Sequence, residues 1–92
     1  MLAQFTRTNI LLGEDNLAKL AGKHILIAGV GGVGGYVAEA IARAGVGKIT
    51  LIDNDVVDIT NLNRQLISTL ANVGELKVNE FAKRILAINP EV

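Results

Sequence analysis

The 92 residues carry nine basic and nine acidic side chains, half of them are hydrophobic and only 3% are aromatic. A formal net charge of zero excludes a long-range field that would steer the whole chain onto nucleic acid or an anionic membrane, so any phosphate contact has to be local. With no Cys and no Trp, a disulfide framework, a thiolate metal site and a thiol nucleophile are excluded, and the core must be built from Ile, Leu, Val and Ala, the composition of a parallel sheet covered by helices.

The first residues, Met1 to Arg7, hold no apolar block that could serve as a signal peptide, and no later apolar run could span a bilayer. A soluble, cytoplasmic protein is expected. Leu17 and Leu20 at helical spacing behind the acidic start Glu14-Asp15 predict a first helix over Leu11 to Ala21, ending near Gly22. His24 to Ala28 is a short apolar run broken by Gly29, which reads as a strand buried on both faces. His24, alone at the strand entrance, reads as structural.

From Val33 the apolar residues Val37, Ala40, Ile41 and Ala44 recur at helical spacing, while Glu39 and Arg43 form an i,i+4 pair on the other face. Gly45 and Gly47 end that helix. Lys48 to Ile52 reads as a second strand, parallel to the first through a crossover helix. A third helix from Glu75 presents Val78, Phe81, Ala82, Ile85 and Ile88 on one side, turns Lys77, Glu80, Lys83 and Arg84 outward or sideways, and stops at Asn89-Pro90. Tyr36 and Phe81 read as packing residues of their helices. The fold class is α/β, the N-terminal part of a Rossmann-like parallel sheet with two strands and three helices, ending where a third strand should begin. A domain this small buries only about 60% of its unfolded surface, so residues 1–92 are expected to be part of a longer adenine-nucleotide-binding domain.

Gly29-Val30-Gly31-Gly32-Val33-Gly34 satisfies G-x-G-x-x-G between a strand and a helix. The first glycine allows the tight turn, the second lets backbone approach phosphate, and the third lets helix and strand pack closely. Free N–H groups at the start of the following helix offer an anion site. Asp53, 19 residues beyond Gly34 at the end of the second strand, is placed to accept hydrogen bonds from ribose hydroxyls.

As far as Asp53 the pattern suits NAD, and an NAD-dependent dehydrogenase is one open reading; Asn54 and Asp55 in place of Arg disfavour NADP. The residues beyond it favour ATP. A dinucleotide has no obvious use for a second acid at Asp55, an Arg at position 64 and a Lys at 77, whereas a triphosphate needs cations to meet its charge, bidentately from Arg and as a point charge from Lys. Asp58 and Thr60 read as stabilisers of their own turn.

Taken in order and at their intervals, Gly29-Val-Gly-Gly-Val-Gly34, Asp53-Asn-Asp55, Thr60-Asn-Leu-Asn-Arg-Gln65 and Val73-Gly74-x-x-Lys77 make the chain resemble the ubiquitin-activating-enzyme-like superfamily, also called the ThiF/MoeB/HesA family, from about Phe5 to Val92. The resemblance implies an enzyme, commonly a homodimer, that adenylates a carboxylate with ATP and Mg²⁺ and releases pyrophosphate. It places Gly29, Gly31, Gly32 and Gly34 along the phosphates, Asp53 on the ribose, Asp55 near metal and phosphates, and Asn61, Arg64 and Lys77 on ATP. Arg64 and Lys77 would neutralise charge on the transferring and leaving phosphates. Arg7 matches an arginine that reaches the neighbouring subunit's site in family dimers. No metal ligand is placed within these residues, since the family's Mg²⁺-holding Asp follows a later strand. Within the superfamily, Arg7-Thr8-x-x-Leu11-Leu12-Gly13-Glu14 and Gly31-Gly-Val-Gly-x-Tyr36-Val-x-Glu39-Ala40 look most like the branch that dehydrates threonylcarbamoyladenosine in tRNA. The competing branch adenylates the C-terminus of ubiquitin-like sulfur carrier proteins.

Overall fold

The computed structural model describes residues 2–92. Strand β1 (His24–Ala28) and strand β2 (Lys48–Ile52) pair in parallel, in register from His24 opposite Lys48 to Ala28 opposite Ile52. Both strands fall where the apolar runs place them, and helix α3 (Gly32–Ala44) joins them. Helix α4 (Lys77–Ile88) follows β2 after a long connection and stops at Asn89. Gly45, in the left-handed conformation, ends α3.

The predicted helix over Leu11 to Ala21 is two helices. Helix α1 (Thr6–Leu12) and helix α2 (Glu14–Ala21) meet at Gly13, whose φ of +84° and ψ of 159° no helix can contain. A 3-10 turn over Ala3–Phe5 precedes α1. The break is legible only as a glycine between two short segments, and Leu17 and Leu20 both lie beyond it, in α2.

The core forms on one face of the sheet. Ile27, Val30, Ala38, Ala42, Ile67, Phe81 and Ile85 are buried together, with Ile25, Ile41, Ile49, Leu51 and Val78 packed around them. Phe81 is fully buried, which stabilises the fold by about 1.5–3 kcal/mol. Its ring lies against α3 where only a glycine leaves room: a Cβ on Gly35 would stand 2.6 Å from Phe81 Cζ. This contact rotates α3 from the predicted face. Gly35, Ala38 and Ala42 turn inward, while Val37 and Tyr36 are 42% and 56% exposed. Small side chains at the interface let the large one opposite enter, so hydrophobic spacing alone selects the wrong face, and Tyr36 is no packing residue here.

The predicted Glu39–Arg43 pair forms at 3.5 Å, but the shorter bond is from Arg84 Nε to Glu39 Oε1 at 2.6 Å and ties α3 to α4. Arg84 first, by hydrogen bonding, then by its charge together with Arg43, lowers the Glu39 pKa against the opposing effect of burial.

Strand β1 is not buried on both faces: Leu26 is 59% exposed, and His24 and Ala28 are exposed beside it. The core helices lie on one side, and among the described residues nothing covers the other, where His24 Nε2 meets Thr50 Oγ1 at 2.6 Å. No described helix is long and apolar enough to cross a membrane.

Candidate nucleotide-binding site

At the C-terminal end of β1 the chain has one more ladder bond, from Gly29 N–H to Ile52 carbonyl at 2.7 Å, and then turns. Gly29 has φ +90°, a conformation L-residues rarely adopt. Five residues on, a Cβ at Gly34 would stand 1.8 Å from the Gly29 carbonyl oxygen. The outer glycines of the motif are therefore fixed by backbone shape and by helix-to-strand approach, as the motif predicts. At Gly32 an added Cβ would meet nothing within 4 Å, so the loop is open on that side.

Gly31 caps the start of helix α3 without a side-chain hydrogen bond, and the first bond of the helix runs from Gly35 N–H to the Gly31 carbonyl at 3.0 Å. The N–H groups of Gly32, Val33 and Gly34 have no acceptor among the described residues. Three convergent amides, at a helix end carrying roughly half a positive charge, make an anion cradle.

Asp53 closes the cradle from β2. Its Oδ2 accepts from Val30 N–H at 2.9 Å and its Oδ1 from Asp55 N–H at 2.7 Å. The Val30 bond first and the Asp55 bond second hold its pKa below the usual carboxylate value; burial opposes them and Lys77 adds a smaller electrostatic pull. Asp53 is thus charged at neutral pH. A carboxylate has about four acceptor directions, so two remain for hydroxyl donors.

Lys77 stands 24 residues after Asp53 and yet returns to it. The return is built by backbone: Val57 N–H donates to Glu75 carbonyl and Gly74 N–H to Val57 carbonyl, both at 2.8 Å, and Lys77 N–H donates to Asp55 carbonyl at 3.1 Å. Val57, 1% exposed, anchors this clasp. The side chain of Lys77 is only 6% exposed, against the outward or sideways position the helical pattern predicts, and its ammonium lies 3.8 Å from Asp55 Oδ2. That distance is too long for a hydrogen bond, so the ammonium's donors stay available to another acceptor.

The remaining sequence-named residues divide. Asp58 and Thr60 stabilise their own turn, a 3-10 helix over Ile59–Asn63, with Asp58 Oδ1 accepting from Thr60 N–H at 2.8 Å. Asn61 is buried in the same turn and its Oδ1 accepts from Asp58 N–H at 2.9 Å. Arg64 is exposed and donates from Nη1 to Asn63 Oδ1 at 2.9 Å and to Thr60 carbonyl at 3.3 Å, so its guanidinium rests on its own turn and not on the cradle. Arg7 lies exposed on α1, and no hydrogen bond or ion pair among the described residues joins it to the glycine loop. The residue of this segment that does reach the loop is Gln65: its Nε2 lies 3.7 Å from the Cβ position of Gly31. Gln65 was visible only as the last letter of the motif run. Among the described residues no group of three or more His, Cys, Asp or Glu is placed to hold a metal ion.

A cavity of about 470 Å³ lies elsewhere, lined by Leu2, Phe5, Leu17, Ala21, Gly45 and Gly47. Ala21 and Gly47 lead into the N-terminal ends of β1 and β2, whereas open α/β sheets take ligands beyond the strands' C-terminal ends. The shallow cradle is the better candidate, because it holds the free amides, the fixed acid and the buried cation.

A strand, glycine turn, helix N-terminus and strand-end carboxylate in this arrangement define a Rossmann-type βαβ unit. Residues 5–92 match the ThiF family, and the chain belongs to it. Over 91 residues it is 50% identical to the tRNA threonylcarbamoyladenosine dehydratase of Bacillus subtilis (strain 168), covering 99% of this chain and 36% of that protein. It is 44% identical over 79 residues to the adenylyltransferase and sulfurtransferase uba4 of Aspergillus terreus, covering 86% of this chain and 16% of that one. The crystal structure of the Escherichia coli tRNA N6-threonylcarbamoyladenosine dehydratase in complex with ATP matches with a TM-score of 0.92 at 50% identity, over 96% of this chain and 36% of that chain. The chain spans about a third of the length of the dehydratases it matches.

Proposed function

We propose that residues 1–92 are the N-terminal portion of an ATP-binding, Rossmann-like adenylation domain, and that the whole protein activates a carboxylate as its acyl-adenylate. A carboxylate oxygen attacks the α-phosphorus, the bond to the bridging oxygen breaks, and pyrophosphate leaves with the electron pair. The observation that carries this reading is the convergence of three free α3 amides, the ionised Asp53 and the buried Lys77 ammonium at one end of the sheet. The open apolar face at Leu26 and Ile52 supports a larger domain, since such a face is ordinarily covered.

In this reading the amides beside Gly31, Gly32 and Gly34 hold phosphate oxygens, and Gly29 sets the turn. Asp53 keeps Val30 in place and accepts from the ribose hydroxyls. Lys77, steadied by Asp55, offsets charge on the leaving phosphates, and Arg64 leaves its resting contacts on the turn to do the same at the reacting phosphate. Asn61 acts by fixing the turn that carries Arg64. Mg²⁺, when bound, would screen the triphosphate; Asp55, exposed and with no backbone N–H donating to its carboxylate among the described residues, would help to hold it, and further ligands would come from outside these residues. Arg7 would serve the neighbouring active site of a homodimer. A cytoplasmic enzyme fits the substrates of this family.

The favoured substrate is the carboxylate of threonylcarbamoyladenosine in tRNA, which cyclises with loss of water after activation; 50% identity to dehydratases from three bacteria, or nearly so, supports it. The 44% identity to an adenylyltransferase of the sulfur-transfer type supports the second reading, a ubiquitin-like sulfur carrier C-terminus.

ATP–pyrophosphate exchange by the full-length protein tests the proposal. Arg64→Ala should lower exchange about 10²-fold or more, as loss of a cation that offsets transition-state charge does. An NAD-dependent dehydrogenase would instead bind NAD in preference to ATP and be nearly indifferent to Arg64→Ala. The 92 residues alone should not catalyse exchange.

A further inference from the structure

Gln65 is more than nine-tenths buried, and its Oε1 has no hydrogen-bond partner. Its backbone is held firmly, with the N–H donating to Asn61 carbonyl at 2.9 Å and the carbonyl accepting from Ser68 N–H at 3.1 Å. The side chain is therefore directed by the 3-10 turn at the second glycine of the loop, with Nε2 3.7 Å from the Cβ position of Gly31. A buried amide oxygen without a partner costs about 1–3 kcal/mol, and a Met or Leu of similar size would fill the space without that cost. Its position adjoins the cradle of free amides and directly follows Arg64, whose guanidinium rests on the same turn.

We infer that Gln65 is a positioning residue: its side-chain amide bonds to the glycine loop and the phosphate held there, and so draws the turn carrying Arg64 over the occupied cradle. A primary amide suits this role because it offers two donors and an acceptor, and a half-turn exchanges which of them faces Gly31. When an anion occupies the Gly32 to Gly34 amides, Nε2 gains an acceptor and Oε1 can take a loop N–H. The bond that Oε1 lacks within the chain is thus supplied at the occupied loop. Coupling runs through a single turn, because residues 61 to 65 are locked together by the Asn61 carbonyl, which accepts from both Arg64 and Gln65 N–H. The inference rests on the adenylation reading above.

The test uses the full-length protein with Mg–ATP as the probe. Gln65→Met should leave the nucleotide-free melting temperature unchanged or raised, because it removes an unpaired buried amide. It should shrink the ATP-induced rise in melting temperature and lower the exchange rate about tenfold or more, as a displaced catalytic group does. In an Arg64→Ala background Gln65→Met should cost less than in the unchanged protein, because only its own contact with the occupied loop is then lost. Gln65→Leu, of similar size and likewise without donors or acceptor, should behave like Gln65→Met and gives the answer if the Met variant does not fold. Wild-type exchange by either folded variant, or losses that multiply with those of Arg64→Ala, overturns the inference while leaving adenylation intact. Absence of exchange in the unchanged protein overturns both.

Discussion

The glycine turn between β1 and α3 and the long connection between β2 and α4 build opposite sides of one cradle by different means. In the first, a few adjacent residues suffice: Gly29 turns the chain and Gly34 lets helix and strand meet. In the second, position comes from contacts distant in sequence. Val57 pairs with Gly74 and Glu75, Asn72 ties the far side of the loop, and Lys77 is returned to Asp55. In the proposed site a local motif supplies the amides, and a non-local clasp supplies the charges that face them. Asp53 joins the two, with one carboxylate oxygen on each side.

Breaking the local side should have the largest effect. Gly34→Ala puts a Cβ against the Gly29 carbonyl, and the turn must open to admit it. We expect a loss of about 3 kcal/mol or more, read as a lower denaturation midpoint, whereas Gly32→Ala, which meets nothing, should stay within about 0.5 kcal/mol of the parent. Equal effects at the two positions would contradict the packing argument.

The clasp should fail more gently. Asn72 is buried, its Oδ1 accepts from Thr69 N–H at 2.9 Å and its Nδ2 donates to Ile67 carbonyl at 2.7 Å. Asn72→Ala strands both backbone groups and should cost about 1–3 kcal/mol. Hydrogen exchange should speed up in residues 56–76 before it does in the strands.

A smaller effect sharpens the link between them. The folded state lowers the Asp53 pKa from its ordinary value of 3.8, so this carboxylate stabilises the fold fully above that value, and the contribution is lost as pH falls through the lower folded value. Asp53→Asn, which keeps one neutral acceptor, should be less stable than the parent by about 1 kcal/mol at pH 7. The gap should narrow in acid, and a gap independent of pH would remove the ionised form from the account.

Much of this was legible from residue order. Strand limits followed from apolar runs interrupted by glycine, and the glycine loop and Asp53 followed from spacing. What the sequence could not display were choices settled by tertiary contact. The face of α3 is chosen by Phe81 entering over Gly35, so Val37 and Tyr36 turn outward although they look like better core residues. Lys77 looks like one more surface charge of a helix until the Val57 clasp buries it. Gln65 carries no signal of its own beyond its place in the motif, since an unpaired amide is a property of surroundings. Arg64, whose type and position suggest a phosphate ligand, rests on its own turn, and residue type does not report a side chain's resting contacts.

The central claim, that free loop amides and the buried Lys77 ammonium grip one triphosphate together, is tested most directly by calorimetric titration of the full-length protein and its Lys77→Met variant with ATP and with AMP. The account predicts that the substitution weakens ATP about tenfold or more, the loss of one charge-assisted contact, and changes AMP affinity by no more than about threefold. Equal weakening of both nucleotides, or ATP affinity unaltered in a folded variant, would contradict it.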